Sequence, residues 1–103
     1  YTTLFRSTVL TTMQQGGLEA VDVEGLRRHY ARTTRLWSEA FESRAEVLRT
    51  LVDDRRWRIW RVYLIGCAWA FENDQISLYQ VLCRRAGGSA SGQPWSRGWM
   101  YAR

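Results

Sequence analysis

The sequence predicts an α/β fold and, more specifically, one piece of a larger α/β domain. Two short stretches with strand character flank two long stretches with helical periodicity, and the end of another helix precedes them. Two strands do not make a self-sufficient sheet, because their apolar faces need neighbouring elements. We therefore expect the apolar surfaces of these 103 residues to pack against chain outside this sequence.

The composition indicates a folded and basic segment. Hydrophobic residues make up 46% and aromatic residues 14% of the chain, which excludes a disordered tail. The formal net charge is +5, and all 15 cationic side chains are arginine. The longest apolar run, residues 62–71, is about half as long as a transmembrane helix. Cys67 and Cys83 are too few and too far apart for a metal site, and we expect free thiols.

The first seven residues fit no pattern that continues along the chain. They resemble the translation of a sequencing adapter, so we interpret residues 1–7 as a non-biological scar and exclude them from the fold prediction. A natural strand or loop start is the alternative. Because the chain opens at Tyr1 and not at Met, we expect it to be truncated.

The next elements are a helix end and a strand. Residues 8–15 are typical of the last turns of a helix, which Gly16 and Gly17 stop. Residues 18–24 alternate apolar and polar side chains with the period of a strand, and Gly25 ends this pattern.

Two helices follow. Residues 26–51 place apolar side chains three or four positions apart, which predicts one helix with a single apolar stripe. The stripe contains Tyr30, Thr34, Trp37, Phe41, Ala45 and Leu48. Asp53 and Asp54 are typical of a helix start and open a second helix, which runs to Glu72. Its broad apolar face contains Trp57, Trp60, Tyr63, Leu64, Cys67, Ala68 and Phe71.

The chain closes with a strand, a loop and an aromatic tail. Residues 76–83 are rich in strand-forming side chains. Residues 87–92 predict a flexible loop, because glycine and serine dominate them. We expect the tail at 94–101, with Trp95, Trp99 and Tyr101, to dock on another surface.

Few residues point to catalysis by themselves. Glycine-rich phosphate loops and HExxH motifs are absent from the sequence, and His29 is expected to be a surface or capping residue at a helix start. The arginines around Tyr30 and Trp57 leave three interpretations open. They fit a solvated helix face, contact with anionic lipid, or nucleic-acid binding by charge and stacking.

Four sequence blocks stand out along the chain. Residues 21–26 read VDVEGL, residues 29–37 HYARTTRLW, residues 57–71 WRIWRVYLIGCAWAF and residues 76–82 ISLYQVL. In order and spacing they resemble the motifs VVDVESL, HYARTLxxW, FxRxWxxYLxxCxxxF and IxxxQVV of the cyclopropane-fatty-acyl-phospholipid synthase family, which includes the mycolic acid cyclopropane synthases. The tail at 94–101 is similar to tails in one branch of the family.

The resemblance implies the C-terminal portion of a class I S-adenosylmethionine-dependent methyltransferase domain with a Rossmann-like fold. Residues 8–86 would belong to this domain, and residues 87–103 would form a loop and aromatic tail. The implied reaction transfers a methylene group from S-adenosylmethionine to the cis double bond of a phospholipid acyl chain, with bicarbonate as the base. The cofactor ligands would lie upstream, so we expect this segment alone to bind no cofactor and to be inactive.

The resemblance also implies roles for four residues. Tyr30 matches the tyrosine whose hydroxyl helps to hold bicarbonate, which suits a neutral donor beside an anion. Tyr63, Cys67 and Phe71 match positions that line the acyl-chain tunnel. By spacing alone, Tyr30 is better explained as part of the apolar stripe, and the resemblance reverses this preference. For the other three, an ordinary core and a tunnel wall predict nearly the same pattern.

Three residues depart from the family pattern. Arg28 replaces a proline, Ala68 a glutamate and Glu72 an arginine that are common there. These departures bear on the subfamily and on the exact substrate.

The implied partners are phospholipid acyl chains at an anionic membrane surface and the upstream part of the same domain, with no nucleic acid. The implied location is cytoplasmic, at the inner face of the membrane, and a homodimer of the parent enzyme is left open. Two alternatives remain: a small basic module that binds nucleic acid, or a lipid methyltransferase that closes no ring.

Overall fold

A computed structural model describes residues 2–89 and 92–102, with side chains from Ser7 onward. Seven elements follow in order along this part of the chain. They are α1 (Thr2–Gln15), β1 (Leu18–Gly25), α2 (Arg27–Ser43), α3 (Ala45–Leu51), α4 (Asp54–Glu72), β2 (Tyr79–Arg85) and α5 (Gly98–Tyr101). The predicted alternation of helices and strands is confirmed, with differences in bounds and number.

Helix α1 is longer than predicted. It begins at Thr2, so most of the segment that we interpret as a scar continues the same helix as residues 8–15. The expectation that residues 1–7 share no pattern with the following residues is therefore wrong at the level of secondary structure. The helix stops where predicted: Gly17 adopts a φ of 88°, a conformation open to glycine because it lacks a Cβ.

The predicted helix 26–51 is broken in two. Arg44 leaves helical geometry at φ −113° and ψ 23°, and α3 starts directly after it. This break lets α3 turn back towards α4, where the Arg49 guanidinium lies 5.7 Å from the centroid of the Trp57 ring. The gain in packing around Trp57 explains why one long helix gives way to two shorter ones.

Helix α4 begins as the sequence predicts. The Asp53 carboxylate caps it by accepting a hydrogen bond of 2.7 Å from the Arg56 amide. The helix then packs along α2 in an antiparallel hairpin, as the ion pairs Arg35–Glu72 and Arg61–Glu42 require.

The core lies between α2 and α4. Its buried hydrophobic side chains are Trp57, Ala68 and Phe71, and the buried hydroxyl residues opposite are Thr34 and Ser38. The Thr34 hydroxyl is satisfied within its own helix, because it donates to the Tyr30 carbonyl at 2.6 Å.

The predicted apolar faces are buried within this chain only in part, and three of their residues are exposed. Trp37 is 54% exposed, and Ser38 takes its place in the interface. Trp60 and Tyr63 are also exposed. An apolar stripe spans a wide arc of a helix, and the position of the partner helix decides which part of that arc is buried.

The two strands form an antiparallel pair with a β-bulge between Ala20 and Asp22. Strand β2 starts at Tyr79 and ends at Arg85, shifted towards the C-terminus from the predicted 76–83. Cys83 in β2 and Cys67 in α4 are free thiols, as expected, and both are half-buried.

The chain is extended for its length. Its radius of gyration is 18.8 Å, whereas a compact domain of this size has about 13 Å. Every helix and strand carries at least one exposed large apolar side chain, including Val62 at 68% and Leu51 at 71%. This shape and exposure fit a C-terminal part of a larger α/β domain.

Candidate functional site

The structure brings together two of the four predicted site residues. The rings of Tyr30 and Phe71 lie with their centroids 5.9 Å apart and their planes tilted by 50°. Phe71 is 8% exposed, and Tyr30 is half-buried beside it. The candidate site therefore consists of the Tyr30 phenol, which packs against the Phe71 ring on one side and is exposed on another.

Tyr30 is held by the first turns of α2. Its amide donates to the Leu26 carbonyl at 2.9 Å, and its carbonyl accepts the bond from Thr34. Since the backbone on both sides of Tyr30 is hydrogen-bonded, the direction in which its side chain leaves the helix is well defined.

Arg27 fixes this part of α2 to the turn that follows α4. Its guanidinium donates to the Ile76 carbonyl at 3.0 Å, to the Asp74 carboxylate at 3.3 Å and to the Ser77 hydroxyl. The Leu26 amide adds a bond of 2.8 Å to the Leu78 carbonyl. These contacts hold the start of α2 against the end of α4, where Phe71 lies.

Arg35 and Glu72 form a second link between the two helices. The Arg35 Nε and Nη2 atoms donate to the two Glu72 carboxylate oxygens at 2.9 and 2.7 Å. This hydrogen bonding lowers the pKa of Glu72 and raises the pKa of Arg35. Glu72 is one of the departures from the family pattern, and here its partner is Arg35.

Tyr63 and Cys67 lie apart from the ring contact. Tyr63 is 57% exposed, and its ring meets the edge of Trp60 at 5.5 Å. Cys67 is half-buried between these positions. Along α4 the step from Tyr63 to Phe71 turns about 80° around the helix axis, so the three residues form a slanted strip and not one flat face. Their role as an acyl-chain wall stays a prediction.

His29 lies exposed in the first turn of α2, as expected for a surface histidine. No group of three or more His, Cys, Asp and Glu side chains in the described part of the chain is placed to hold a metal ion.

The arginines of α4 mostly pair with carboxylates. Arg56 and Arg58 approach Asp53 and Asp54, and Arg61 bonds Glu42 at 2.6 Å. Such pairs dilute the positive field that phosphate binding requires. This arrangement favours the interpretation as a solvated helix face.

Within residues 2–89 and 92–102, the chain offers no cradle for S-adenosylmethionine. Leu26 alone connects β1 to α2, and it provides no side-chain cap at the helix start. A glycine-rich turn after a strand, which cofactors of this class need, is not formed by the described residues. The described residues do not by themselves form a site that fits S-adenosylmethionine.

The aromatic tail lies beside the sheet, and an ion pair links the two. Arg97 Nε lies 2.8 Å from Asp22 Oδ1, and the Asp22 side chain is 16% exposed. Trp95 and Trp99 nevertheless stay exposed, at 106% and 51%. Arg97 thus links the tail to β1, whereas the expectation that the aromatic side chains of the tail dock on another surface stays a prediction.

Sequence reasoning missed the arginines that link α2 to α4 and to the turn after it. Arg27 and Arg35 stood among many arginines, and nothing in the spacing distinguished them. Glu72 departs from the family pattern, but that departure does not by itself identify Arg35 as its partner.

Comparison with known proteins assigns the family. The profile of the family described as mycolic acid cyclopropane synthetase matches residues 4–81. A Pseudomonas putida protein named "Probable fatty acid methyltransferase" is 43% identical over 96 residues, covering 92% of this chain and 24% of its own length. The tuberculostearic acid methyltransferase of Mycobacterium tuberculosis is 39% identical over 77 residues, covering 74% and 18%.

This chain thus spans about a quarter or less of the curated relatives that it matches. The family has the class I S-adenosylmethionine-dependent methyltransferase fold, and the mixed helices and two-stranded sheet fit its C-terminal part. From the match over most of its length, the chain belongs to the mycolic acid cyclopropane synthetase family.

Proposed function

We propose that this chain is the C-terminal part of an enzyme that transfers a methylene group from S-adenosylmethionine to the cis double bond of a phospholipid acyl chain. The contact between Tyr30 and Phe71 carries the proposal. It places a hydrogen-bond donor and an aromatic face side by side in a member of a lipid-modifying family.

Tyr30 supplies a neutral donor. A phenol O–H orients an anionic base without removing the basicity of that anion, and bicarbonate is the base that we propose. The Thr34 bond and the Leu26 bond hold the helix backbone around Tyr30, so the hydroxyl is presented in one direction.

Phe71 supplies an aromatic face. Positive charge that develops on the alkene carbons is attracted to the electron-rich face of a ring. Because Phe71 is buried against α2, it keeps a constant position beside Tyr30. Cys67 and Tyr63 continue from Phe71 along α4 and would contact the acyl chain.

The cofactor would be bound by the upstream part of the same domain, since the described residues do not fit it. That upstream part would also cover the outer face of α4, where Ile59, Val62 and Ile65 are exposed. A helix that is apolar around most of its circumference is typical of a domain interior.

The proposed location is the inner face of an anionic membrane, where the phospholipid substrate lies. The net charge of +5 favours such a surface. None of the helices in the described part of the chain has both the length and the hydrophobicity to cross a bilayer.

A second candidate is methylation of a fatty acyl chain without ring closure. The relatives from Pseudomonas putida and Mycobacterium tuberculosis are both named as methyltransferases and not as cyclopropane synthases. Both reactions add one carbon to the same alkene, and the residues of this chain would serve either.

A chimera tests the proposal. In it, residues 8–102 of this chain replace the matching segment of the Pseudomonas putida relative, which supplies the cofactor-binding part. The chimera is expressed in a bacterium that lacks cyclopropane lipids, and the extracted fatty acids are examined by mass spectrometry and proton NMR.

We expect fatty acids with one added carbon and the upfield proton signals of a cyclopropane ring. An added carbon without ring signals would favour the second candidate. A lipid profile identical to that of cells with an empty vector would contradict both.

A further inference from the structure

We infer that Arg35 and Glu72 are positioning residues for Tyr30, an inference that rests on the function proposed above. Their two parallel hydrogen bonds, at 2.9 and 2.7 Å, link α2 to the last residue of α4. Glu72 directly follows Phe71, whose ring contacts Tyr30. The ion pair therefore fixes the end of α4 that faces the Tyr30 phenol.

The ion pair and the ring contact lie on opposite flanks of the helix interface. Around the axis of α2, Arg35 lies about 140° from Tyr30, and around α4, Glu72 lies about 100° from Phe71. One flank is thus held by charge and the other by aromatic rings. Two contacts on opposite flanks prevent rotation of one helix against the other more strongly than either alone.

Between the two flanks, the interface is built from small side chains. Thr34 is 4% exposed and Ala68 is fully buried, so the helices approach closely along this line. At the Tyr30 end of the hairpin, Phe71 is the large buried side chain between the helices, whereas Trp57 stacks on Phe41 at the other end. Without the ion pair, the Tyr30 end would keep only the ring contact on one flank, and the position of Phe71 beside Tyr30 would be less defined.

The same flank provides a matched control. Arg61 Nε bonds Glu42 Oε1 at 2.6 Å and also joins α4 to α2. This pair lies at the other end of the hairpin, beside the stacked rings of Phe41 and Trp57. Substitution of Arg61 removes a similar ion pair but leaves the contacts at the Tyr30 end of the hairpin unchanged.

The contribution of the ion pair to stability can be separated from its positioning of Tyr30. The Arg35 and Glu72 side chains are each 37% exposed, and ion pairs with this exposure contribute little to stability. Variants that lack the pair should therefore fold, while the position of Tyr30 becomes less defined.

The chimera described above, labelled with 3-fluorotyrosine at position 30, tests the inference. In Arg35→Ala we expect the fluorine signal to broaden and to move towards that of Phe71→Leu. Turnover should fall by about tenfold to a hundredfold, as for a small misplacement of a reacting group. The KM for lipid and the thermal midpoint should change little.

Two further variants complete the test. In Arg61→Ala both the fluorine signal and turnover should stay as in the parent chimera. In the double variant Arg35→Glu with Glu72→Arg, both should recover, because the reversed pair restores the link.

The outcomes separate the inference from the function on which it rests. If the chimera makes no product, the proposed function fails, while the fluorine signal still decides whether Arg35 positions Tyr30. If the signal changes and turnover does not, the position of Tyr30 does not affect the reaction, and the inference that the ion pair positions Tyr30 for catalysis is overturned. An unchanged fluorine signal in Arg35→Ala also overturns it.

Discussion

The Tyr30 ring lies against Phe71, with 5.9 Å between the centroids, although the two residues belong to different helices. The contact exists because α2 and α4 run antiparallel, so that the start of one helix meets the end of the other. It unites the proposed hydroxyl donor with the proposed aromatic face.

Removal of the Tyr30 hydroxyl should affect chemistry and not folding. Tyr30→Phe keeps the ring contact with Phe71, so the chimera should retain its stability and its affinity for the cofactor. Turnover should fall by about a hundredfold or more, as for loss of a group that assists proton transfer. Steady-state kinetics and calorimetric cofactor titration measure the two effects.

Tyr101→Phe is the control for this substitution. Tyr101 is 62% exposed on α5 and lies outside the proposed site, so loss of its hydroxyl should leave turnover close to that of the parent. Near-normal turnover of Tyr30→Phe would remove Tyr30 from the site.

The ion pair of Glu72 makes stability depend on pH. Hydrogen bonding to Arg35 lowers the pKa of Glu72, so the carboxylate stabilises the fold above its unfolded-state pKa, about 4.3. This contribution is lost as the pH falls through the lower folded-state pKa. The raised pKa of Arg35 affects the stability of the fold only at strongly alkaline pH.

Thermal unfolding of the chimera and of Glu72→Gln should therefore show a small difference at neutral pH, and the two should converge in acid once the pH has fallen below the lowered pKa of Glu72. Glu46→Gln on α3 serves as the control and should not reproduce this pattern. A difference that stays constant into strong acid would show that Glu72 does not act through its charge.

Trp57 should be the main stabilising side chain of the hairpin. It is 4% exposed, stacks on Phe41 at 4.3 Å and lies under the Arg49 guanidinium. Trp57→Ala should lower the free energy of unfolding by about 3–5 kcal/mol, because it leaves a cavity in the core. Chemical denaturation measures the change.

Trp60→Ala is the matched control, because Trp60 lies one turn along α4 and is 52% exposed. Its effect on the 103-residue chain should be much smaller. Equal losses from the two substitutions would contradict the assignment of Trp57 to the core.

Gly66 tests whether the outer face of α4 is covered in the longer protein. A Cβ at Gly66 would meet no atom within 4 Å, so Gly66→Ala should stabilise the isolated chain by about 0.5–1 kcal/mol. In the chimera the same methyl group should meet neighbouring chain and reduce stability. Equal stabilisation in both would indicate that this face stays open.

Asp22 should control docking of the tail. Its carboxylate is largely buried and holds Arg97 at 2.8 Å, so Asp22→Asn should release α5 from the sheet. Hydrogen exchange at the Met100 amide, which donates to the Arg97 carbonyl, should then accelerate. Glu24→Gln is the control, and acceleration in both variants would mean that Asp22 has no special role.

Much of the local structure was predictable from the sequence. The alternation at 18–24 predicted β1, and Asp53 predicted the start of α4, because strand period and helix capping depend on near neighbours. The HYARTTRLW segment and its companion blocks also predicted the family, which the profile match confirms.

The bounds of other elements were not predictable. The helix break at Arg44 depends on packing of α3 around Trp57, a contact between residues on different elements. Likewise, β2 is shifted towards the C-terminus because its bounds follow pairing with β1 and not the strand preference of Ile76.

The sequence by itself determined which residues could form helices, strands and an aromatic site, and to which family they belong. Only the tertiary structure decided that Ser38 and not Trp37 is buried, and that Arg35 pairs with Glu72. Helical periodicity places several side chains within reach of an interface. The orientation of the partner helix, set by contacts between residues distant in sequence, selects among them.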